Sequence, residues 1–173
     1  MNIILLSGGS GRRLWPLSND IRSKQFIKLF KDENGEYESM IQRVYRQITT
    51  VDPDAKVTIA TSKSQASAIH NQLGDKASIC VEPCRRDTFP AILLAAAYLH
   101  DELGVGDDES VAVCPVDPYV DNSYYEGVEA LEKLVQQNTA NLTLMGIAPT
   151  YPSENADSVK IVTDAMGALR LKL

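Results

Sequence analysis

Short apolar runs alternate with helical stretches along most of this chain. The apolar runs are Asn2 to Leu6, Val57 to Thr61, Ser78 to Glu82, Ser110 to Cys114 and Leu142 to Ile147. Their continuous apolar character is typical of strands that are covered on both faces. The stretches that we predict to be helical are Met40 to Thr50, Lys63 to Leu73, Thr88 to Leu103 and Tyr124 to Asn138. This order predicts an α/β fold, a Rossmann-like parallel sheet that is mixed at the edge and has helices on both faces.

Three of the helical stretches carry start signals. Ser39-x-x-Gln42 and Ser123-x-x-Glu126 have capping-box spacing, in which a hydroxyl and an acid or amide satisfy the first free N–H groups. Asp87 stands where it can cap the helix that starts at Thr88.

Charge is distributed unevenly along the 173 residues. The net charge is −6, but residues 1 to 28 hold five Lys or Arg and one Asp, which leaves +4 there and −10 elsewhere. An acidic body of this kind argues against general binding to nucleic acid or to anionic membranes. The positive charge is concentrated next to the first strand.

The length and composition indicate one domain with a substantial core, 44% of the residues being hydrophobic. No apolar run approaches the length that spans a bilayer, and no leader precedes the first strand, so we expect a cytoplasmic protein. Cys80, Cys84 and Cys114 are odd in number and lack C-x-x-C spacing, which indicates reduced thiols instead of disulfides or zinc ligands.

The first strand leads into a glycine-rich loop. The loop and the cations near it comprise Leu6, Ser7, Gly8, Gly9, Gly11, Arg12, Arg13 and Lys24. Glycines let backbone N–H groups approach an anion closely, and the cations can donate charge-assisted hydrogen bonds to phosphate oxygens. The glycine spacing matches neither the dinucleotide fingerprint nor the P-loop. The sequence therefore predicts a nucleotide phosphate site of another type.

Polar residues also follow the later strands, and parallel strands meet at one edge of a sheet. Glu82 ends a strand, and its carboxylate can accept the adjacent N1–H and N2–H donors of guanine; alternatively it pairs with Arg85 or Arg86. Three further residues follow Glu82 closely in the chain. Pro83 makes the turn after the strand rigid, and Asp87 and Thr88 can contact base or ribose. Asp87 can equally serve as a helix cap alone.

Asp117 follows another strand. One carboxylate beside a triphosphate is sufficient as a first ligand for Mg²⁺, although the same residue can simply begin an Asp-Pro turn. Asp121 lies nearer a helix start and is a weaker metal candidate.

These motifs together resemble a known family. The Leu-Ser-Gly-Gly-Ser-Gly-Arg-Arg-Leu-Trp-Pro-Leu run from Leu6 to Leu17 and the Lys-Gln-Phe at Lys24 are similar to the signature of sugar-1-phosphate nucleotidyltransferases, in particular the mannose-1-phosphate guanylyltransferase branch. Further ordered matches are Glu82 to Ile92, Cys114 to Asp117 and Met145 to Pro152.

The chain departs from the family pattern at several positions. It has Arg12 for Thr, Ser23 for Pro, Arg85-Arg86-Asp87 for Gly-Arg-Asn, and Pro118 for His. After Glu154 the expected Gly-Tyr-Gly-Tyr segment, and with it a second metal-binding aspartate, is replaced by Asn-Ala-Asp-Ser-Val-Lys. We therefore expect a truncated enzyme, with residues 1–152 as the nucleotide-binding part and 153–173 as a loop that could continue into an edge strand.

The resemblance implies an activity and a set of roles. GTP would react with a sugar 1-phosphate, most simply mannose 1-phosphate, to give a GDP-sugar and pyrophosphate. Arg13 and Lys24 would neutralise the phosphates, Asp117 would hold Mg²⁺, and Gly146 would lie against the sugar. Two alternatives stay open: a related enzyme that uses UTP, dTTP, CTP or ATP, and a non-catalytic nucleotide-binding module. The edge-strand character of the tail is also compatible with a homo-oligomer.

Overall fold

The computed structural model describes residues 1–9, 14–19, 23–137 and 142–146. The elements in chain order are β1 (Asn2–Leu6), a 3-10 helix (Lys24–Phe26), β2 (Lys28–Lys31), β3 (Tyr37–Ser39), α1 (Met40–Val51), β4 (Lys56–Ser62), α2 (Lys63–Leu73), β5 (Ser78–Glu82), α3 (Thr88–Asp101), β6 (Val111–Pro115) and α4 (Asn122–Gln136).

Four of the strands form the central sheet in the order β5-β4-β1-β6, and every neighbouring pair is parallel. Ile3 of β1 lies opposite Val57 of β4 on one side and Ala112 of β6 on the other. The predicted parallel sheet is confirmed. Among the strands that the structure describes, this sheet has no antiparallel edge.

The side chains of β1 divide the core into two clusters. Ile3 and Leu5, each 0% exposed, belong to the larger cluster, which also contains residues of α1, α2 and α4. Ile4, also 0% exposed, faces the smaller cluster, where it packs with Ala95 and Leu99 of α3. Successive strand residues point to opposite faces. The predicted cover of helices on both faces is therefore confirmed.

Most of the predicted boundaries agree with the structure to within two residues. β1, β5 and α2 have the predicted bounds, whereas β4 and β6 are displaced or extended by one residue at their ends. α3 ends at Asp101, before the predicted Leu103, because Gly104 adopts a positive φ of 67° that glycine accommodates readily.

Sequence analysis missed the β2–β3 hairpin. These two short strands pair antiparallel as a separate sheet, with Lys31 opposite Tyr37. Gly35, with a φ of 84°, makes the turn between them. With only four and three residues, these strands are too short to show a clear apolar pattern. Their function in the fold is to lead the chain from the 3-10 helix to α1.

The capping predictions have different outcomes. At α1 the capping box is confirmed: Ser39 Oγ accepts from the Gln42 N–H, and Gln42 Oε1 accepts from the Ser39 N–H. The prediction for Ser123 was wrong, because Asp121 is the N-cap of α4 and its carboxylate accepts from the Ser123 N–H at 3.1 Å. With Asp121 as the N-cap, α4 begins at Asn122, two residues before the predicted start at Tyr124.

The strand predicted from Leu142 is also wrong over the residues that the structure describes. Residues 142–146 have no strand geometry. Met145 instead packs on the larger core cluster beside α4, so close that a Cβ on Gly127 would lie 3.0 Å from the Met145 sulfur. Residue 147 and the proposed edge strand in 153–173 lie outside the described residues, and the division of the chain at residue 152 stays a prediction.

In the described part of the chain, every helix is too short or too polar to cross a bilayer.

The cap of α1 provides a test of local stability. Ser39 is fully buried, and its hydroxyl also donates to Gln72 Oε1. We expect Ser39→Ala to lower the free energy of unfolding by about 1–2 kcal/mol, because a cap is lost. Urea denaturation measures the change. Ser64→Ala, an exposed serine, is the control and should stay within about 0.5 kcal/mol of the parent chain. Equal effects for both variants would contradict the capping role.

Tyr125 gives a prediction of opposite sign. Its side chain is fully buried, its hydroxyl has no hydrogen-bond partner among the residues that the structure describes, and burial raises its pKa. A buried unpaired hydroxyl costs about 1–3 kcal/mol, so Tyr125→Phe should stabilise the fold by about 1 kcal/mol.

Tyr45→Phe is the control for Tyr125→Phe, because the Tyr45 hydroxyl donates to the Lys76 carbonyl at 2.9 Å. Tyr45→Phe should leave the free energy of unfolding unchanged or lower it slightly, because it removes this hydrogen bond. Destabilisation by Tyr125→Phe in thermal unfolding would show that the hydroxyl is satisfied.

Candidate functional site

A cleft of about 320 Å³ lies at the carboxyl edge of the central sheet. Residues from the ends of all four strands contribute to it, together with the 3-10 helix and the start of α3. The lining residues are Leu6, Gly8, Gly9, Lys24, Gln25, Ala60, Glu82, Arg85, Asp87, Thr88, Ala91, Pro115, Val116 and Asp117. The sequence-distant motifs that were predicted to share one edge of the sheet therefore meet in one cleft.

The glycine loop forms one wall of this cleft. Gly8 and Gly9 line it, and a Cβ placed on Gly8 would lie 3.6 Å from Glu82 Oε1. That separation is ordinary van der Waals contact, so it measures how close the loop is to Glu82 and does not by itself require glycine. Gly11, Arg12 and Arg13 lie outside the described residues.

Ser7 is buried behind the loop and does not line the cleft. Its exposed fraction is 1%, and its N–H continues the sheet by donating to the Ala60 carbonyl at 2.9 Å. Gln25 and Thr61 both lie within hydrogen-bond distance of the Ser7 carbonyl. Ser7 therefore connects the loop to the protein interior, and its predicted contact with nucleotide stays a prediction.

Glu82 is the buried acid of the cleft, with 9% of its surface exposed. Among the described residues it has neither a hydrogen-bond nor an ion-pair partner, and the alternative of pairing with Arg85 or Arg86 is not what the structure shows. Its charge, added to burial, raises the pKa of the neighbouring thiol of Cys80. Because Glu82 lines the cleft, a ligand in the cleft could supply donors to its carboxylate.

Lys24 and Asp117 face each other on the opposite side of the cleft. The Lys24 Nζ donates to Asp117 Oδ2 at 2.6 Å, and the side chains are 38% and 48% exposed. The two residues are 93 positions apart in the chain and meet because β6 pairs with β1. An ion pair with this exposure can open readily when either partner finds a ligand of its own.

Asp117 was predicted as a ligand for Mg²⁺. The described residues contain no group of three or more metal-ligating side chains, so a metal cage built from protein alone is absent from them. Mg²⁺ usually takes one or two carboxylates and completes its coordination with phosphate oxygens and water. A half-exposed carboxylate in a cleft beside a glycine loop fits that pattern.

Of the other predicted ligand contacts, Asp87 and Thr88 line the cleft, whereas Pro83 and Gly146 do not. Asp87 caps α3, its carboxylate accepting from the Thr88 N–H at 2.9 Å, and it also lines the cleft with Thr88. Asp87 adopts a φ of 73° and a ψ of −169°, a positive-φ extended conformation that residues other than glycine rarely adopt. Pro83 is exposed and is not among the cleft residues, and the same holds for Gly146.

Sequence reasoning missed part of the lining. Gln25 was visible in the Lys-Gln-Phe motif but received no role, and Arg85 was considered as an ion-pair partner alone. Ala60 carries no signal of its own in the sequence, and Ala91, Pro115 and Val116 lie inside matched segments but received no individual role. They supply the shape of the cleft, which depends on tertiary packing.

A second cavity, of about 300 Å³, lies between β6 and α4. Its lining is mainly apolar and, among the described residues, includes no lysine or arginine. It also contains Cys114, whose pKa is raised to about 11 by burial, so this thiol stays protonated at neutral pH. The cavity therefore suits a polyphosphate much less well than the cleft at the strand ends.

Comparison with known proteins gives a consistent family. The profile of the family described as Nucleotidyl transferase matches residues 2–155. The chain is 30% identical over 172 residues to the alginate biosynthesis protein AlgA of Pseudomonas fluorescens, covering 94% of this chain and 33% of that protein. It is 34% identical over 161 residues to the xanthan biosynthesis protein XanB of Xanthomonas campestris, covering 91% and 32%.

A third relative carries an enzyme name. The mannose-1-phosphate guanylyltransferase of Escherichia coli is 27% identical over 154 residues, with 86% of this chain and 31% of that protein covered. The chain thus spans about a third of the length of the curated relatives it matches. A crystal structure of mannose-6-phosphate isomerase from Helicobacter pylori is similar with a TM-score of 0.53 and 21% identity, covering 79% of this chain and 46% of that one. This last likeness concerns the fold alone.

The exposure of the Lys24–Asp117 pair predicts that neither residue holds the fold together. Exposed ion pairs contribute about 0–1 kcal/mol, so Lys24→Gln and Asp117→Asn should each change the free energy of unfolding by less than about 1 kcal/mol. Urea denaturation of both variants at low and high salt checks this. A loss above about 2 kcal/mol would show that the pair is structural, and effects of these variants on ligand binding could then not be assigned to the cleft.

Proposed function

The chain belongs to the nucleotidyl transferase family, and on that premise we propose that it forms the nucleotide-binding part of an enzyme that transfers a guanylyl group from GTP to a sugar 1-phosphate. The proposed sugar substrate is mannose 1-phosphate, in keeping with the name of the Escherichia coli relative. The observation that carries the choice of guanine is the buried carboxylate of Glu82, which has no described partner and lies beside Gly8.

Base recognition is assigned to Glu82. Guanine presents two adjacent N–H donors, N1–H and N2–H, and a fixed carboxylate can accept both. The pairing would supply the Glu82 carboxylate, which lines the cleft, with donors that no described residue provides. Uracil, thymine and cytosine do not offer the same pair of donors in the same geometry. Asp87 and Thr88, at the same corner of the cleft, would contact the base or the ribose.

Phosphate binding is assigned to the opposite side of the cleft. Gly8 and Gly9 allow the backbone to approach the phosphates, and Lys24 supplies a cation. Arg13 is proposed to neutralise the β and γ phosphates, with Gly11 and Arg12 in the same loop. Lys24 would then exchange Asp117 for a phosphate oxygen, which leaves the carboxylate of Asp117 free.

Asp117 is proposed to hold Mg²⁺ together with phosphate oxygens. The bound ion would offset part of the negative charge that the two substrates bring together. In the proposed reaction, an oxygen of the sugar 1-phosphate forms a bond to the α-phosphorus of GTP, and the bond from that phosphorus to the bridging oxygen breaks. Pyrophosphate leaves with the electron pair of that bond.

This reaction needs no nucleophile from the protein. The contributions of the chain would be to place the α-phosphorus, through base and phosphate contacts, and to neutralise charge, through Lys24 and Arg13. Gly146 is proposed to lie near the sugar, although it is not part of the cleft that the described residues form. Because the chain spans about a third of its relatives, complete turnover is a property to be tested and not assumed.

Base selection provides the decisive test. Isothermal titration of the chain with Mg²⁺ and each of GTP, UTP, CTP, ATP and dTTP should show preference for GTP. Glu82→Gln should weaken GTP binding by about 10- to 100-fold, because charge-assisted hydrogen bonds are lost, while changing the weaker affinities little. Glu126→Gln on α4 makes the same chemical change on an exposed residue away from the cleft and should have no effect.

The other outcomes are equally informative. Preference for another triphosphate would assign the chain to a nucleotidyltransferase of different base specificity. Binding of GTP without pyrophosphate release on addition of mannose 1-phosphate would favour a non-catalytic nucleotide-binding module. Absence of binding to every triphosphate would overturn the proposal.

A further inference from the structure

A buried network of side-chain hydrogen bonds lies directly behind the glycine loop. Its members come from three separate parts of the chain and are each at most 2% exposed: Ser7, Ser23, Gln25, Thr61 and Gln65. Polar side chains are rarely buried this completely unless their groups are paired. Among the described residues, every buried side-chain nitrogen or oxygen of the network has a partner except Gln25 Oε1.

Gln65, in the first turn of α2, is the centre of this network. Its Nε2 donates to the Gly9 carbonyl at 3.2 Å and to Ser23 Oγ at 2.7 Å. Its Oε1 lies 3.3 Å from Gln25 Nε2 and 3.3 Å from Thr61 Oγ1. Both amide hydrogens of Gln65 therefore have acceptors, and its oxygen accepts from Gln25, whereas the single hydroxyl hydrogen of Thr61 is shared between Gln65 Oε1 and the Ser7 carbonyl.

The network binds the loop by its carbonyl groups. Gly9 offers its carbonyl to Gln65, and Gln25 Nε2 and Thr61 Oγ1 lie 3.4 and 3.3 Å from the Ser7 carbonyl. Across a trans peptide the carbonyl and the following N–H point in opposite directions. Holding the Ser7 carbonyl on the interior side therefore turns the Gly8 N–H away from the network and toward the cleft that Gly8 lines.

The N–H groups of Gly8 and Gly9 are not used elsewhere. In the part of the chain that the structure describes, neither of them donates a hydrogen bond, whereas the Ser7 N–H is used by Ala60. A loop with its acceptors tied back and its donors unused presents a surface that suits an anion.

We propose that Gln65 is a positioning residue for phosphate binding: it fixes the Gly9 carbonyl, and through Gln25 and Thr61 the Ser7 carbonyl, so that the loop keeps its N–H groups available to a polyphosphate. The inference rests on the proposed function. Gln65 does not line the cleft, and so acts through the loop and not by contact with the ligand.

Gln47 offers a matched control. It is also a helical glutamine that is 2% exposed, but its Nε2 donates to the Val120 carbonyl at 2.9 Å, remote from the loop, and its Oε1 has no partner within the described part of the chain. Gln65→Met and Gln47→Met remove the same amide and keep a similar side-chain length. If loss of any buried amide changes ligand binding, both variants will show the change. If the change is transmitted through the loop, only Gln65→Met will show it.

The experiment follows the binding of three probes by amide NMR: GTP with Mg²⁺, inorganic tripolyphosphate and guanosine. We expect Gln65→Met to weaken GTP and tripolyphosphate about tenfold, the equivalent of roughly one hydrogen bond, and to leave guanosine unchanged. Gln47→Met should leave all three unchanged. Gln65→Glu, a second variant, keeps acceptors for Gln25 and Thr61 and removes the donors to Gly9 and Ser23, so it should weaken the same two probes.

The spectra without ligand give an independent readout. The Gly8 and Gly9 amide signals should shift and exchange faster in both Gln65 variants than in the parent chain or in Gln47→Met. Unchanged glycine signals, or equal weakening of guanosine and GTP, would overturn the positioning role while leaving the proposed function intact. Failure of the parent chain to bind either GTP or tripolyphosphate would overturn the proposed function and the phosphate role of Gln65 together.

Discussion

The burial of β1 is the constraint on which the rest of the structure depends. This strand has a neighbour on each side, and its side chains Ile3, Ile4 and Leu5 are completely removed from solvent by helices on both faces. A strand in this position must be apolar throughout, and its polar continuation can only emerge at its end. The glycine loop is that continuation, so the location of the cleft follows from the packing of the core.

This relation explains which parts of the fold could be predicted. β1 and β5 were located without error, because apolar residues bounded by Gly, Ser or Pro leave little choice. β2 and β3 were missed, since strands of four and three residues with charged positions give no usable pattern. The run from Leu142 looks like a strand in sequence, but over the described residues it packs beside Gly127 of α4. Composition alone could not distinguish these two outcomes.

The residues of the candidate site likewise divide into those that the sequence could identify and those that it could not. Glu82, Lys24 and Asp117 could be named in advance because each stands at a motif or strand end, and the topology then brings them into one cleft. Pro83 and Gly146 had similar sequence signals, yet they lie outside the lining. Gln65 had no signal, because an isolated glutamine on a helix is usually a solvent-facing residue. Its place in a buried network depends on the approach of the loop, the 3-10 helix and α2 to one another.

The residues of the cleft are held by two kinds of interaction. The loop rests on a network that is nearly inaccessible to water, where paired groups are well defined and an unpaired one is costly. Lys24 and Asp117, in contrast, meet in an exposed pair that water and salt weaken. The loop backbone is thus held firmly while the charged groups retain freedom to exchange partners, which is the combination that a site for a charged ligand requires.

The order of the strands also has a consequence for how such a protein can diversify. Glu82 ends β5 and Asp117 follows β6, and these are the two outer strands of the four, with β4 and β1 between them. Three strand spacings amount to about 14 Å, so the two carboxylates belong to regions that can be altered separately. Under the proposed function, selection on the β5 side could change the preferred base while the phosphate side was preserved. One scaffold could in this way give rise to a series of enzymes with different cosubstrates and a common reaction centre.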